Sequence, residues 1–352
     1  MMTRILVTGN LGYVGPIFTS YLKAHDSDTH VTGFDAGFFA KNLTCPDDSV
    51  EARPDVQLFG DVRKLGSLDL GNYDAVVCLS ALSNDPLGNE FASLTDDINR
   101  QSALKLFDKC VTAGVKNFVF ASSCSVYGAG GDVAKNEDDA TNPLTAYAKS
   151  KIEFEADVAN RDHGDMVFTS LRFATACGWS PRLRLDLVLN DFVASALLHG
   201  KIEILSDGSP LRPLISVNDM AKALHWSATR LPDRGGQSLV VNAGASKNNF
   251  TIRKLAKLVG ETIGNCEISI NTDAQPDKRS YRVDFSRFEN LVGNSFEFED
   301  MTVTISELGR GISGWGMVEP DFRKSNLIRL HALRLLKSHR LVDDNLFWAS
   351  KS

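Results

Sequence analysis

A tyrosine and a lysine four residues apart, Tyr147 and Lys151, follow a serine-rich turn, Ser122-Ser123-Cys124-Ser125. These are the side chains best suited to chemistry in the chain. On a helix that spacing stacks phenol and ammonium on one face, about a turn apart. A free phenol titrates near ~10 and is a poor base at neutral pH. An ammonium beside it favours the phenolate and draws that pKa toward the working range. A serine hydroxyl at the end of the preceding strand orients a substrate alcohol toward the phenolate. The chemistry this suits is removal of a proton from an alcohol while hydride leaves for a nicotinamide. Taken alone, Tyr-x-x-x-Lys equally describes a packed tyrosine and a solvated lysine, so the surrounding elements must decide.

Those elements begin at the N-terminus. Arg4-Ile-Leu-Val-Thr8 is an apolar run of strand type, followed by Gly9-Asn-Leu-Gly12-Tyr-Val-Gly15 and a helical pattern to about Ala24. His30-Val-Thr-Gly-Phe-Asp35 then reads as a strand ending in an acid. Strand, glycine turn, helix, strand and acid is the layout of a dinucleotide-binding βαβ unit. Glycines admit the pyrophosphate close to the backbone, and the helix N-terminus faces its charge. Asp35 can bond both ribose hydroxyls and repels a 2′-phosphate, which favours NAD over NADP. Pro16, straight after the third glycine, is tolerated because a first helical turn needs few backbone donors.

The alternation continues with strands at Val56–Phe59, Ala75–Ala81, Asn117–Ala121 and Val167–Phe173, and a helix over 97–113. Asp61-Val62 is a natural place for an adenine contact. Short apolar strands separated by helical segments predict a Rossmann-type, doubly wound parallel sheet. Gly128 to Asn142 is a polar loop between the serine turn and Tyr147. The composition changes after Gly178. We therefore expect a NAD-binding domain over 1–178, with 213–244 returning to it, and a smaller α/β substrate-binding domain over 179–352. Helices are expected at 187–199, 220–230, 251–263 and 322–339.

The whole-chain properties set the class. The 352 residues are 43% hydrophobic and 23% charged, as in an ordinary globular protein. A net charge of −6 without a strong Lys/Arg block argues against a nucleic-acid footprint. Cys45, Cys78, Cys110, Cys124, Cys177 and Cys266 lack metal-ligand spacing, so no metal is expected, and they read as thiols of a reducing compartment. No apolar run approaches the ~18 residues of a membrane span, and no signal-peptide core opens the chain, so a cytoplasmic protein is expected.

Gly9-x-x-Gly12-x-x-Gly15, Asp35, Asp61-Val62, Ser122-Ser123-x-x-Val-Tyr127-Gly128 and Tyr147-x-x-x-Lys151 stand in the order and spacing of the extended short-chain dehydrogenase/reductases. The chain resembles their nucleotide-sugar epimerase/dehydratase branch from about residue 3 to 290. That resemblance implies Tyr147 as acid/base, Lys151 on the nicotinamide ribose and Ser123 as the orienting hydroxyl. It implies NAD contacts from Gly9, Gly12, Tyr13, Val14 and Gly15, then from Asp35, Asp61, Val62, Leu79, Ala81 and Asn99. Thr175, Asn190, Arg212 and Arg279 fall where such enzymes hold the nucleotide-diphosphate sugar, although each of the last three equally suits a capping Asn or a surface Arg. Arg182 and Arg184 could simply pair with Asp186. A homodimer is also implied, through the helices at 97–113 and 145–160. Leu104, Phe107, Val111 and Val158 suit that interface and suit packing on the sheet equally.

The reaction type rests on the residues after Ser123. The 4,6-dehydratases of the family put an Asp-Glu pair there; this chain has Cys124-Ser125, so that elimination lacks its usual acid and base. Cys124 reads as a small buried thiol. Ser, Tyr, Lys and NAD suffice for C4 inversion through a 4-keto sugar, which is the leading expectation. A nucleotide-sugar dehydrogenase or 4-ketoreductase with exchangeable NAD(H) uses the same residues, and a non-catalytic dinucleotide sensor is the remaining alternative. Phe173-Ala174-Thr175, Cys177 and Ser216 depart from the family pattern at the sugar end. The basic, amphipathic segment Phe322 to Trp348 is expected to dock on the second domain, with Phe347-Trp348 filling a groove there.

Overall fold

A computed structural model describes residues 3–45, 53–66, 68–129, 131–264, 266–274, 280–316 and 321–349. Its centre is a seven-stranded parallel sheet. From one edge to the other the strands are Ser238–Ala243, Val167–Phe173, Asn117–Ser123, Ala75–Cys78, Arg4–Thr8, His30–Asp35 and Val56–Phe59. Ile5, Leu6 and Val7 in the first strand and Val76 and Val77 in its neighbour are wholly buried, because helices cover both faces. The chain winds outward from Arg4–Thr8 on one side and resumes on the other at Ala75–Cys78. A crevice opens at the C-terminal ends of those two strands, where doubly wound sheets bind ligands.

Helix Gly15–His25 carries Pro16 in its first turn, as the sequence allows. Helix Ala146–Ala159, which bears Tyr147 and Lys151, is started by Thr145, whose hydroxyl accepts the Ala148 N–H at 3.2 Å. Its Phe154 stacks on Phe120 of the third-listed strand with ring centroids 3.8 Å apart, fixing the helix over the sheet. Helix Val217–Ala228 packs on Gly15–His25, and Ser238–Ala243 adds the edge strand of the sheet.

A second core lies between helices Val188–His199, Ile252–Ile263 and Met301–Trp315. The last was not expected from sequence. Its glycines and β-branched residues are weak helix formers, but Ile305, Leu308 and Ile312 are buried against that core and tertiary packing prevails. A Cβ on Gly311 would lie 2.2 Å from the Trp179 ring, so glycine is what lets the indole lie on the helix.

One expectation needs correction. The C-terminal segment does not stay on the second domain. Phe322 and Leu327 are buried there, but Leu333 and Leu336 of helix Arg329–Ser338 pack on Leu82, Leu87, Phe91 and Ile98 of the first. Phe91 and its neighbours supply an apolar face, and Arg334 pairs with Glu90 beside it (3.0 Å). Of the two packings open to Leu104, Phe107 and Val158, the structure has the one on the chain's own sheet, where they are buried with Val111 packed against them. No helix among the described residues is long and apolar enough to cross a membrane.

Candidate active site

A cavity of about 830 Å³ follows the crevice, and most of the sequence-selected residues line it. At one end is the glycine turn. Gly9 has φ +76°, and a Cβ there would sit 2.5 Å from the Ser80 backbone nitrogen. A Cβ on Gly15 would sit 2.2 Å from the Asn10 carbonyl oxygen. Only glycine fits at either place, and the bare backbone is left facing the cavity. Asp35 closes the second strand beside it. Its Oδ2 accepts the Leu11 N–H (3.1 Å) and its Oδ1 accepts the Gly37 N–H (2.7 Å), which leaves each oxygen a lone pair for a ribose hydroxyl. Burial pushes the Asp35 pKa up, opposed by those two N–H groups and by Arg182 and Arg329. Gly12, Tyr13, Val14, Asp61, Val62, Leu79 and Ala81 complete this end. The turn, the acid and the open backbone fit a dinucleotide. Asp61 itself is gripped by Arg63, whose Nε and Nη2 donate to its two oxygens at 2.9 and 2.6 Å.

Ser123, Tyr147 and Lys151 meet further along the wall. Ser123 ends its strand, lies close enough to the Tyr147 phenol to draw its pKa down, and accepts the Ser125 N–H at 3.1 Å. Lys151 Nζ lies 4.4 Å over the Phe120 ring and 5.6 Å from the Tyr147 ring centroid. Burial dominates both groups. It pushes Tyr147 up to about 12, with Ser123 and then Arg184 drawing it back, and pushes Lys151 down to about 8. Desolvation thus outweighs the expected lowering of the phenol, and what opposes it comes from Ser123 and Arg184 rather than from Lys151. Thr175 and Arg212 also line the cavity; Arg212 Nη1 donates to the Leu211 carbonyl (2.8 Å).

Two selected residues stand behind the wall. Asn99 sits in a π-turn over Asp97–Gln101, where its amide accepts the Leu82 N–H (2.8 Å) and donates to the Leu82 carbonyl and to Ser150. It positions the loop after the fourth strand and does not face the cavity. Asn190 donates to the Tyr13 hydroxyl (3.0 Å) and the Arg184 carbonyl and accepts the Gly178 N–H, so it braces the glycine turn. Arg279 lies outside the described residues. Cys177 and Ser216 are also structural: the thiol donates to the Ile215 carbonyl (3.3 Å), and Ser216 starts helix Val217–Ala228.

The sequence reading missed part of the wall. Arg184 pairs with Asp186 (3.0 Å), donates to Ser83 and lies within electrostatic reach of Tyr147. Asn84, at φ +140°, donates to Asp186 and starts the helix that places Asp85 in the cavity. Asn84-Asp85-Pro86 is a helix-start signature that could have found this loop. Arg323 and Arg329 reach the cavity from the C-terminal segment, with no motif to announce them.

The family model described as the NAD dependent epimerase/dehydratase family matches residues 5–244. The chain is 27% identical over 283 residues to UDP-glucose 4-epimerase of Corynebacterium glutamicum, covering 74% of this chain and 81% of that protein. It is 26% identical over 302 residues to dTDP-glucose 4,6-dehydratase of Streptomyces griseus, covering 83% and 89% respectively. Among solved structures, MoeE5 in complex with UDP-glucuronic acid and NAD aligns with a TM-score of 0.71 at 26% identity, over 88% of this chain and 99% of that one.

Proposed function

The chain belongs to the NAD dependent epimerase/dehydratase family, and we propose that it inverts C4 of a nucleotide-diphosphate sugar through a transient 4-keto sugar. The observation that carries this reading is the company Tyr147 keeps. Ser123 and Lys151 share its cavity, while Cys124, at the place where a 4,6-dehydratase carries an acid, is wholly buried with its thiol donating to the Arg172 carbonyl (3.0 Å). Burial pushes that thiol far up, so it is no acid/base at neutral pH. The neighbouring Ser125 has no comparable acidity.

In this reading Ser123 holds the C4 hydroxyl against Tyr147, which accepts its proton and returns it once the sugar has turned in the cavity. Bound NAD supplies the two-electron acceptor and donor that takes the C4 alcohol to a ketone and back. Ser123 and Arg184 draw the phenol back, so the phenolate forms at lower pH than burial alone would allow. Arg212 and Thr175 hold the nucleotide-diphosphate sugar, joined by Arg279. No net oxidation occurs, and the protein needs no free cofactor. A homodimer and a cytoplasmic location belong to the same proposal. The buried thiols of Cys78, Cys110, Cys124 and Cys177 suit a reducing compartment.

Proton NMR of nucleotide sugars incubated with the purified protein, without added cofactor, tests this. A C4-inverted sugar that is lost with Tyr147→Phe supports it; no new sugar from any member of the panel overturns it. One observation favours a second reading. Asp85 faces the cavity, and its charge raises Tyr147. After oxidation at C4, a carboxylate so placed could remove the C5 proton while the C6 hydroxyl leaves as water with the proton that Tyr147 took up; hydride returned from the reduced cofactor to C6 would then leave a 4-keto-6-deoxy product in the same spectra.

A further inference from the structure

The segment Phe322 to Trp348 lies outside the family match and has no part in the chemistry above, yet it reaches the cavity beside Asp35. Arg329 is the point of entry. Only 2% of it is exposed, and it forms part of the cavity wall. Its Nη2 donates to the Arg182 carbonyl at 2.7 Å, and its guanidinium lies 4.2 Å from the centroid of the Phe39 ring. Its Nη1 is buried and has no hydrogen-bond partner. A buried donor without a partner is costly, and more so on a cation. Burial, with Arg184 and Arg182 nearby, pushes the Arg329 pKa down to about 9. An anion or a hydroxyl oxygen arriving in the cavity would relieve both conditions.

After helix Arg329–Ser338 the chain doubles back and ties together the loops that follow the second and third strands of the sheet. Trp348 Nε1 donates to the carbonyl of Ala36, the residue after Asp35, at 2.6 Å, and the indole lies 5.8 Å from Phe38. Phe347 lies under Arg63 (3.7 Å) and Lys64 (4.0 Å). Arg63 Nη1 donates to the Asn345 carbonyl at 2.7 Å while its other nitrogens grip Asp61. The tail thus bridges Asp35–Ala36 and Asp61–Arg63, the two places where the sequence puts ribose and adenine.

We propose that residues 329–348 are a strap that retains the adenosine half of the dinucleotide, with Arg329 Nη1 donating to a ribose or phosphate oxygen of that half. This rests on the family's use of NAD and not on C4 inversion. A charge-assisted bond made only when the ligand is present slows its release. The tail contacts keep the two loops from parting.

The test is the release of NADH from the full chain. Protein loaded with NADH is mixed with excess NAD, and the loss of bound-NADH fluorescence gives the dissociation rate. Arg329→Met should speed release by about ten- to a hundredfold, the range for a lost hydrogen bond to a charged group. Trp348→Ala should speed it severalfold, and Arg310→Ala, on an exposed part of the second domain, should leave it unchanged. Release from folded Arg329→Met within twofold of wild type overturns the proposal. So does a fall in UDP affinity by calorimetry with NADH release unaltered, since the arginine would then serve the substrate. If Arg329→Met does not fold, Trp348→Ala decides, and unchanged release from it overturns the strap. Trypsin gives a second readout: NAD should slow cleavage after the exposed Arg340, and equal rates with and without NAD count against it.

Discussion

Replacing Lys151 with methionine should abolish turnover and yet stabilise the cofactor-free protein. Lys151 is 2% exposed, and burial takes its pKa from 10.5 to about 8. At ~1.4 kcal/mol per pKa unit, the folded chain holds the ammonium at a cost of roughly 3 kcal/mol. The Phe120 ring returns on the order of 1 kcal/mol by cation–π attraction. A methionine of similar length therefore gains about 2 kcal/mol. An unfolding entropy of ~2.1 cal/mol/K per residue over 352 residues turns that into a melting temperature about 3 °C higher. The pH dependence carries the sign. The folded pKa lies below the unfolded one, so between about 8 and 10.5 the unfolded chain binds more protons and wild-type stability rises with pH. Below about 8 the penalty is fully present; above 10.5 it is gone. Calorimetric melts of NAD-free protein at pH 7 and pH 10.5 should show the variant ahead at the first and level at the second. A variant that melts below wild type at pH 7, or an equal gap at both, would refute the reasoning.

Tyr147→Phe should lower kcat by ~10²–10⁴ while bound NAD per chain, read from the ultraviolet spectrum of denatured protein, stays at the wild-type value. Ser123→Ala removes a bond that draws the Tyr147 pKa down, so the alkaline rise of kcat should move to higher pH; a shift toward acid would contradict it. Glu155→Gln breaks a buried pair in which Arg172 donates to Glu155 at 2.7 and 3.0 Å. The expected loss is about 3–5 kcal/mol in urea unfolding. Gly9→Ala, which needs φ +76° and room beside the Ser80 nitrogen, should cost about 2 kcal/mol or more and leave the protein without bound NAD; the α-helical signal and nucleotide content together check this.

The parts of the site legible in the sequence are those fixed by local rules. Gly9, Gly12 and Gly15 are demanded by backbone crowding within one turn, and Asp35 by the length of one βαβ unit. Tyr147 and Lys151 follow from helical spacing, and Ser123 from the end of a strand. That Asn99 and Asn190 stand behind the cavity wall is not legible, because an amide's partner is set by the fold: Asn190 meets Tyr13 across 177 residues of chain. Arg184 was legible as a partner of Asp186 but not as a neighbour of Tyr147. Helix Arg329–Ser338 was recognised by its leucines, yet an apolar stripe records only that it is covered. What covers it is decided by Leu87 and Phe91, residues that no pattern links to it.

Tyr13 ties the glycine turn to a distant stretch of the chain. The Tyr13 hydroxyl donates to the Gly178 carbonyl (2.6 Å) and accepts from Asn190, and Ser180 donates to the Tyr13 carbonyl (2.7 Å). Three bonds therefore tie the glycine turn to Gly178, Ser180 and Asn190. A change at Asn190 would therefore be felt at the glycine turn: the Tyr13 hydroxyl would lose a donor although no residue of the turn itself had been altered.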